Sequence, residues 1–352
     1  MTETVSWPSL LTDLMAEKNL SVAEAEWAMD EVMSGRASDA QLAAFLIALR
    51  MKGETVDEIV GFRDAILQHA VELPVNAMAL DIVGTGGDRA HTINVSTTAA
   101  IVVAGAGVPV VKHGNRASTS SSGSSDVLAA LGLDLTLTAD DIARVFERTG
   151  ITFAFANAFH PGFAHAAPVR AQLGVPTVFN FLGPLCNPAR PEASAVGVAH
   201  AAQLPLIVGV FQTRGATALV FRGDDGLDEL STTGHSHIWE ISRGFVTEHD
   251  MDPRELGIPR ASLDDLRGRD ADYNASVVRS VLSGEHSPAR DIVLLNAAAG
   301  LVAYDLAQDP QQVSVSIVER FRSALERAAQ SIDNGSASAK LDEWLMVNAS
   351  FS

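Results

Sequence analysis

Three polar-to-apolar switches mark the start of the chain. Ser21-x-x-Glu24, Ser38-x-x-Gln41 and Thr55-x-x-Glu58 each precede a stretch with apolar residues three or four apart. Each pair is a capping box, in which two side chains satisfy backbone N–H groups of a first helical turn. Residues 7–70 therefore predict four helices, with Gly35 and Gly53 as C-terminal stops. On the third, residues 39–52, Leu42, Phe45, Leu46 and Leu49 share a face and Ile47 lies off it. This apolar surplus predicts burial within the chain or against a second copy. Residues 73–79, with Pro74, read as a linker.

Beyond the linker the period changes. Short apolar runs at 79–83, 108–111 and 151–155 are bounded by glycines and predict buried parallel strands. Ser96 and Thr97 read as N-cap residues of an apolar helix ending near Gly105. Thr138 caps a helix ended by Gly150, and His160-Pro161-Gly162-Phe163 opens one that carries Arg170 and ends at Gly174. Residues 174–188 read as a stiff crossing segment. Strands at 195–198 and 216–221 flank a helix at 203–213, and short strands around 238–245 precede a run of helices. The expected fold is α/β: a small N-terminal helical domain plus a large α/β domain with a mostly parallel central sheet and C-terminal helices. The expected division is 1–73, joined in space by helices around 160–188, and 79–352.

The chemistry concentrates between 81 and 126. Gly84-Thr85-Gly86-Gly87-Asp88 follows the first strand with almost no side-chain bulk. The second strand leads to Lys112-His113-Gly114-Asn115-Arg116, and a serine-rich tract runs to Asp126. Open α/β sheets place ligands at such strand ends. Glycines bring backbone N–H groups close to phosphate oxygens, helix N-termini add a favourable dipole, and Lys112 and Arg116 add charge. The spacing is neither G-x-G-x-x-G nor G-x-x-x-x-G-K-[ST], which disfavours dinucleotide and Walker-type sites. Asp88 needs a hydroxyl, a basic group or a metal beside it. Later, Asp228-Glu229 reads by itself as a solvated acidic turn, or, beside a phosphate site, as two hard oxygen ligands suited to Mg²⁺; Asp224-Asp225, four residues earlier, is a similar pair and a control for the first reading. His235, His237 and His249 have no ligand-like company and read as structural.

Composition narrows the field. The 352 residues are 47% hydrophobic, and the net charge is −18. The mean hydropathy is +0.15 and the pI about 4.8. So acidic a chain is a poor non-specific ligand for nucleic acid or anionic membranes. Cys186 is the only cysteine, which suits a reducing cytoplasm. The N-terminus lacks the basic-then-apolar pattern of a signal peptide. The apolar runs near 99–111 and 292–304 are too short or interrupted to span a bilayer.

GTGGD, Asn94-Val95-Ser96-Thr97, KHGNR and the SSSGSSD tract together resemble the anthranilate phosphoribosyltransferases, over nearly the whole chain. The resemblance implies transfer of a 5-phosphoribosyl group from its pyrophosphate (PRPP) to anthranilate. It implies that Gly84, Gly87, Asp88, Thr92, Asn94, Val95, Ser96, Thr97, Lys112, His113, Gly114, Asn115, Arg116, Ala117, Ser118, Thr119, Ser120 and Ser124 form the PRPP site. Gly84, His113, Asn115, His160 and Arg170 resemble the anthranilate contacts. Ser96, Asp228 and Glu229 resemble the Mg²⁺ ligands, with two ions per subunit. No general base stands out; Lys112, Asp228 and Glu229 act electrostatically. A cytoplasmic homodimer joined through the helical domain is also implied, with no nucleic-acid or membrane partner. Arg89, Ser121 and Cys186 depart from the family, which favours a small residue, lysine and threonine there. The enzyme alternative is a pyrimidine nucleoside phosphorylase; the alternative from another class is a nucleic-acid-binding relative of the fold.

Overall fold

The computed structural model describes residues 5–116 and 122–352. Four helices open the chain: α1 (Trp7–Met15), α2 (Val22–Met33), α3 (Asp39–Lys52) and α4 (Val56–Gln68). The three expected capping boxes form, and Ser6 with Ser9 adds a fourth. Gly53 ends α3 at φ +87°, and Gly35 follows the Ser34 C-cap of α2 at φ +69°. α2 packs on α4 and α1 on α3. Phe45 sits at the centre, edge-on to Trp7 at 5.6 Å and to Phe62 at 5.8 Å.

The sheet has seven strands among the described residues. They are β1 (Leu80–Gly84), β2 (Val110–Gly114), β3 (Ile151–Phe155), β4 (Ala193–Gly197), β5 (Thr217–Gly223), β6 (Ser236–Ser242) and β7 (Phe245–Met251). Their order is β3-β2-β1-β4-β5-β6-β7. The first five in that order run parallel, and β6 and β7 return antiparallel. α5 (Val95–Gly105), α6 (Ser124–Leu131), α7 (Ala139–Thr149), α8 (Ala156–Phe159), α9 (Phe163–Leu173) and α10 (Leu204–Arg214) fall between strands. α11 (Ala271–Leu282), α12 (Pro288–Gln308), α13 (Ile317–Asp333) and α14 (Ser336–Ala349) follow them. α9 packs against α2 and α3.

Alternate strand residues feed two cores, as the pleat demands. Ile82, Ala195 and Leu219 pack with α5 and α12; Val83, Val196 and Val220 pack with α10 and the helical bundle. No described helix is long and apolar enough to cross a membrane.

Three expectations shift. The second strand begins and ends later than 108–111, so Lys112 and His113 lie inside it. Its ladder with β3 pairs Val110 with Ile151 through Gly114 with Phe155, and this pairing sets the limits, not apolarity. The N-cap of α5 is Asn94, without a side-chain cap bond; Ser96 and Thr97 occupy its first turn. The short strands expected around 238–245 are β6, which starts at Ser236, and β7, which runs on to Met251.

Candidate functional site

The strand order reverses between β1 and β4, and ligands of open α/β sheets bind at such a point. Gly84 and Gly197 are register partners at the two strand ends. The 226–231 loop folds over both. A Cβ on Gly84 would overlap the Asp228 carboxylate, and one on Gly197 would overlap the Asp228 backbone. Only glycine admits the loop so closely. Gly86 N donates to Asp228 Oδ2 at 2.7 Å. Asn296 of α12 grips Leu230 through both N–H and C=O, at 2.9 Å each. Asp225 accepts from Ser231, Thr233 and Leu227 and anchors the turn. Asp224 stays exposed beside His237.

Charge is concentrated beneath this loop. Lys112 Nζ is buried and donates to the Ile82 carbonyl at 2.5 Å and to Ser96 Oγ at 3.2 Å. Burial lowers its pKa, while Asp81, Glu229 and Asp228 oppose the shift. Burial raises the Asp228 pKa to about 7, and Asp88 beside it adds to the rise. Glu229 is raised well above the carboxylate range by burial and then by Asp228. Carboxylates so crowded favour a shared proton or a cation. Among the described residues no three His, Cys, Asp or Glu side chains alone form a metal cage. Such a donor set fits Mg²⁺, which takes one or two carboxylates and completes its shell with water and substrate phosphates.

The anion-facing surface is backbone and hydroxyl. Gly86 and Gly87 adopt φ of +69° and +92°. Thr97 Oγ1 is buried without a hydrogen-bond partner in the first turn of α5, where backbone N–H groups have no intrahelical acceptor. Val95 is buried beneath it. Asn94 donates to the Ser122 carbonyl and accepts from Asn274 Nδ2 at 2.8 Å. Thr92 bridges to Arg267. Asn115 and Arg116 are exposed, and the Asn115 carbonyl accepts from Ser124 Oγ at 3.2 Å. Gly114 admits that serine, whose Oγ a Cβ would overlap. Ala117, Ser118, Thr119, Ser120 and Ser121 lie outside the described residues.

A second, ring-lined region adjoins. His113 Nδ1 lies 3.0 Å from the Gly183 carbonyl, so it carries the hydrogen and leaves Nε2 as a buried, unpaired acceptor. Burial, with His160 beside it, pushes the His113 pKa down to about 3; burial takes His160 to about 4. Both rings are therefore neutral at pH 7. They meet edge-on at 5.3 Å. His160 continues to Phe163 at 5.2 Å, Phe163 to Phe179 at 5.7 Å, and Arg170 lies 5.1 Å above Phe179. Burial alone lowers the Arg170 pKa, with no described carboxylate offsetting it.

Several supporting residues escape sequence reasoning. Asp81 accepts from His113 N at 3.1 Å and from Asn187 Nδ2 at 2.9 Å, bolting β2 to the crossing segment. Burial raises its pKa to about 6. A charged residue within an apolar strand was the available signal. Gly197, Asn274 and Asn296 gave no signal, because their roles depend on distant partners. Arg89 is exposed at φ +59°. His235 and His237 share Asp250, with Asp252 and Asp224 on their far sides, and His249 pairs with Glu240. The sequence hid this carboxylate company, which the β6–β7 hairpin assembles.

The likeness to known proteins runs the length of the chain. Residues 8–70 match the glycosyl transferase family helical bundle domain, and residues 76–338 match the glycosyl transferase family a/b domain. An anthranilate phosphoribosyltransferase of Leifsonia xyli subsp. xyli is 72% identical over 98% of this chain and 99% of that protein. One from Clavibacter michiganensis subsp. michiganensis is 60% identical over 96% and 97%. The crystal structure of the Thermus thermophilus enzyme superimposes with a TM-score of 0.88 at 36% identity, over 97% of this chain and 99% of that one. The Saccharomyces cerevisiae enzyme in complex with PRPP and Mg gives 0.87 at 28% identity, over 98% of both chains. Its complex with 4-fluoroanthranilate gives 0.85 at 27%, over 99% of both. Likeness of this extent, at 72% identity over 98% of the chain, shows that the chain belongs to the anthranilate phosphoribosyltransferase family.

Proposed function

We propose that the chain transfers the 5-phosphoribosyl group of PRPP to the amino group of anthranilate, giving N-(5-phosphoribosyl)anthranilate and pyrophosphate in tryptophan biosynthesis. One observation carries this reading: a polar strand-end crevice of glycine backbone, hydroxyls and crowded carboxylates adjoins the neutral rings of His113 and His160, which lead to an arginine with no carboxylate partner among the described residues. Gly84, Gly86, Gly87 and the first turn of α5, with Asn94, Ser96 and Thr97, receive phosphate oxygens. Lys112 and the Asn115–Arg116 turn add positive charge. Ser96, Asp228 and Glu229 would hold Mg²⁺, two ions per subunit, which would supply positive charge against the departing pyrophosphate.

Breaking the C1–oxygen bond places negative charge on pyrophosphate and positive charge on the ribose. Backbone N–H groups at the glycine loop stabilise the first. The Arg170 fork takes the anthranilate carboxylate and aims its amino group at C1. Forming the C1–nitrogen bond releases one proton from that nitrogen, which passes to the departing pyrophosphate or to water. Neutral His113 and His160 leave Arg170 as the charge of the pocket, and His113 Nε2 offers an acceptor for an amino N–H.

The helical part supports pairing. Exposed Met15, Ile47 and Met51 line an apolar groove of about 620 Å³ with Leu14, Ala48 and Leu173. A second copy covering it gives a homodimer through residues 1–73, with 79–352 carrying the chemistry, in the cytoplasm. The direct test of activity is the fall of anthranilate fluorescence with PRPP and Mg²⁺. Fluorescence that stays constant with folded protein, and in every order of addition, removes the reading.

A further inference from the structure

The glycine loop does not hold its own far end. Residues 91–93, between that loop and α5, pair with residues 266–268, which lead into α11. Ile93 N donates to the Leu266 carbonyl at 2.9 Å and Gly268 N to the His91 carbonyl at 2.7 Å, with Thr92 opposite Arg267 between them. A Cβ on Gly268 would overlap the Thr92 carbonyl, so this ribbon too is closed through a glycine. His91 stands at φ +55°, a backbone that such a residue keeps only where its surroundings hold it.

Asn274, early in α11, completes the link. It is buried, and both ends of its amide are engaged. Its Oδ1 accepts from Arg269 N at 2.9 Å, and its Nδ2 donates to Asn94 Oδ1 at 2.8 Å. Asn94 Nδ2 in turn donates to the Ser122 carbonyl at 3.1 Å. A backbone N–H can only donate, and a carbonyl can only accept. The two ends of this relay therefore fix the direction of both amides between them. A flip of either amide would set oxygen against oxygen and N–H against N–H. Asn94 Nδ2 keeps a second hydrogen, whose direction the same relay sets. The relay joins α11, the turn into α5 and the Ser122–Gly123 entry to α6, on which α11 also packs.

Resting on the functional reading above, in which PRPP lies between the glycine loop and the serine-rich tract, we propose that Asn274 is a positioning residue for PRPP. It acts through Asn94. By fixing that amide it holds the phosphate-binding segments at 91–97 and 122–124 at the spacing the ligand requires. The test is a double-mutant cycle on the full chain, with Kd for PRPP and Mg²⁺ from titration calorimetry, and KM for anthranilate at saturating PRPP. Asn274→Ala should weaken PRPP binding about tenfold, the scale of a lost buried hydrogen bond, and Asn94→Ala at least as much. KM for anthranilate should stay near the wild-type value. The double variant should bind PRPP no worse than Asn94→Ala alone, because one residue acts through the other. Asn348 of α14 grips Asp134 N and C=O in a similar way, beyond the C-terminal end of α6. Asn348→Ala is thus the matched control: it should melt lower yet bind PRPP as wild type does. Additive effects in the cycle overturn the proposal. So does wild-type PRPP affinity in a folded Asn274→Ala, or an equal loss toward anthranilate. Should Asn274→Ala not fold, Asn274→Asp keeps the shape and the bond from Arg269 N while removing the donor toward Asn94. Its loss of PRPP affinity should vanish in the Asn94→Ala background; a loss that persists there is charge repulsion and overturns the proposal. Wild type that binds no PRPP removes the functional reading, and this inference with it.

Discussion

Glu58 of the helical bundle and Glu229 of the crevice are both buried carboxylates, and they are treated in opposite ways. Glu58 accepts from Leu20 N at 2.9 Å, Thr55 N at 2.8 Å and Lys52 Nζ at 3.0 Å. Its charge is answered from every side, and the helices around it obey their capping rules. Glu229 is set against Asp228, with Lys112 opposing but not cancelling the rise in its pKa. Nearby, Thr97 Oγ1 and His113 Nε2 are buried without partners. Around Glu58 the bundle answers its own buried charge, whereas the crowded carboxylates of the crevice are answered only with something bound. Local rules that agree build the scaffold, and local rules that are broken mark where ligands finish the structure.

The comparison can be broken most severely from the bundle side. Phe45 is fully buried. Phe45→Asp removes a central ring and buries an unpaired charge, a change of the class costing over about 4 kcal/mol. Sedimentation and circular dichroism should show unfolded or monomeric protein; an intact wild-type species would mean that the bundle tolerates incompleteness.

Next comes the crevice. Glu229→Gln keeps the size and removes the charge. The protein should fold normally, need more Mg²⁺, and turn over about 10²–10³-fold more slowly, the scale of a lost electrostatic contact to a transition state. Asp224→Asn, at an exposed position near the same loop, is the matched control and should titrate with Mg²⁺ as wild type does. If both variants behave like wild type, Asp228 and Glu229 are a turn and nothing more.

Arg170→Ala should cost roughly 1.5–3 kcal/mol, felt mainly in KM for anthranilate. Equal weakening toward PRPP would place Arg170 outside the aryl pocket.

A gentler test separates paired from unpaired burial by pH. Burial alone raises the Glu240 pKa, but hydrogen bonds from His249 and Arg320 outweigh it and hold the group down at about 2, against 4.5 for a free glutamate. Arg320 meets Glu240 through two bonds at 2.7 and 2.8 Å. A depressed pKa stabilises the fold fully above pH 4.5, and that contribution fades as the pH falls through 2. Glu240→Gln should lower stability at pH 7 and flatten its decline between those values in acid-unfolding curves. A decline identical to that of wild type would mean that the pair is not coupled to folding.

The bundle was legible because its signals are local. Ser21 and Glu24 announce their helix three residues apart, and α7 is bracketed by the capping side chain of Thr138 and the left-handed backbone of Gly150. The parallel sheet was legible as a class, but β2 was misplaced because partner strands decide where a ladder stops. At the site, the glycine loop and KHGNR stand out as residues in the wrong company for mere packing. The contacts that position them join residues far apart in sequence. Asp81 meets Asn187, Asn94 meets Asn274, and Leu230 meets Asn296. Nothing in a short window can announce such pairs.

Cys186 gives the molecule a chemical clock. It is the only cysteine, it is fully buried, and burial pushes its thiol up to about 12. At neutral pH the buried thiol therefore stays protonated, and the thiolate is the reactive form. A neutral alkylating reagent therefore reaches the thiol when the crossing segment lifts away, and slow alkylation tracks the population of that open state. Because the segment also carries the Gly183 carbonyl that holds His113, the rate of alkylation reads the share of chains in which the floor of the aryl pocket is apart, with one signal per chain and no engineered label.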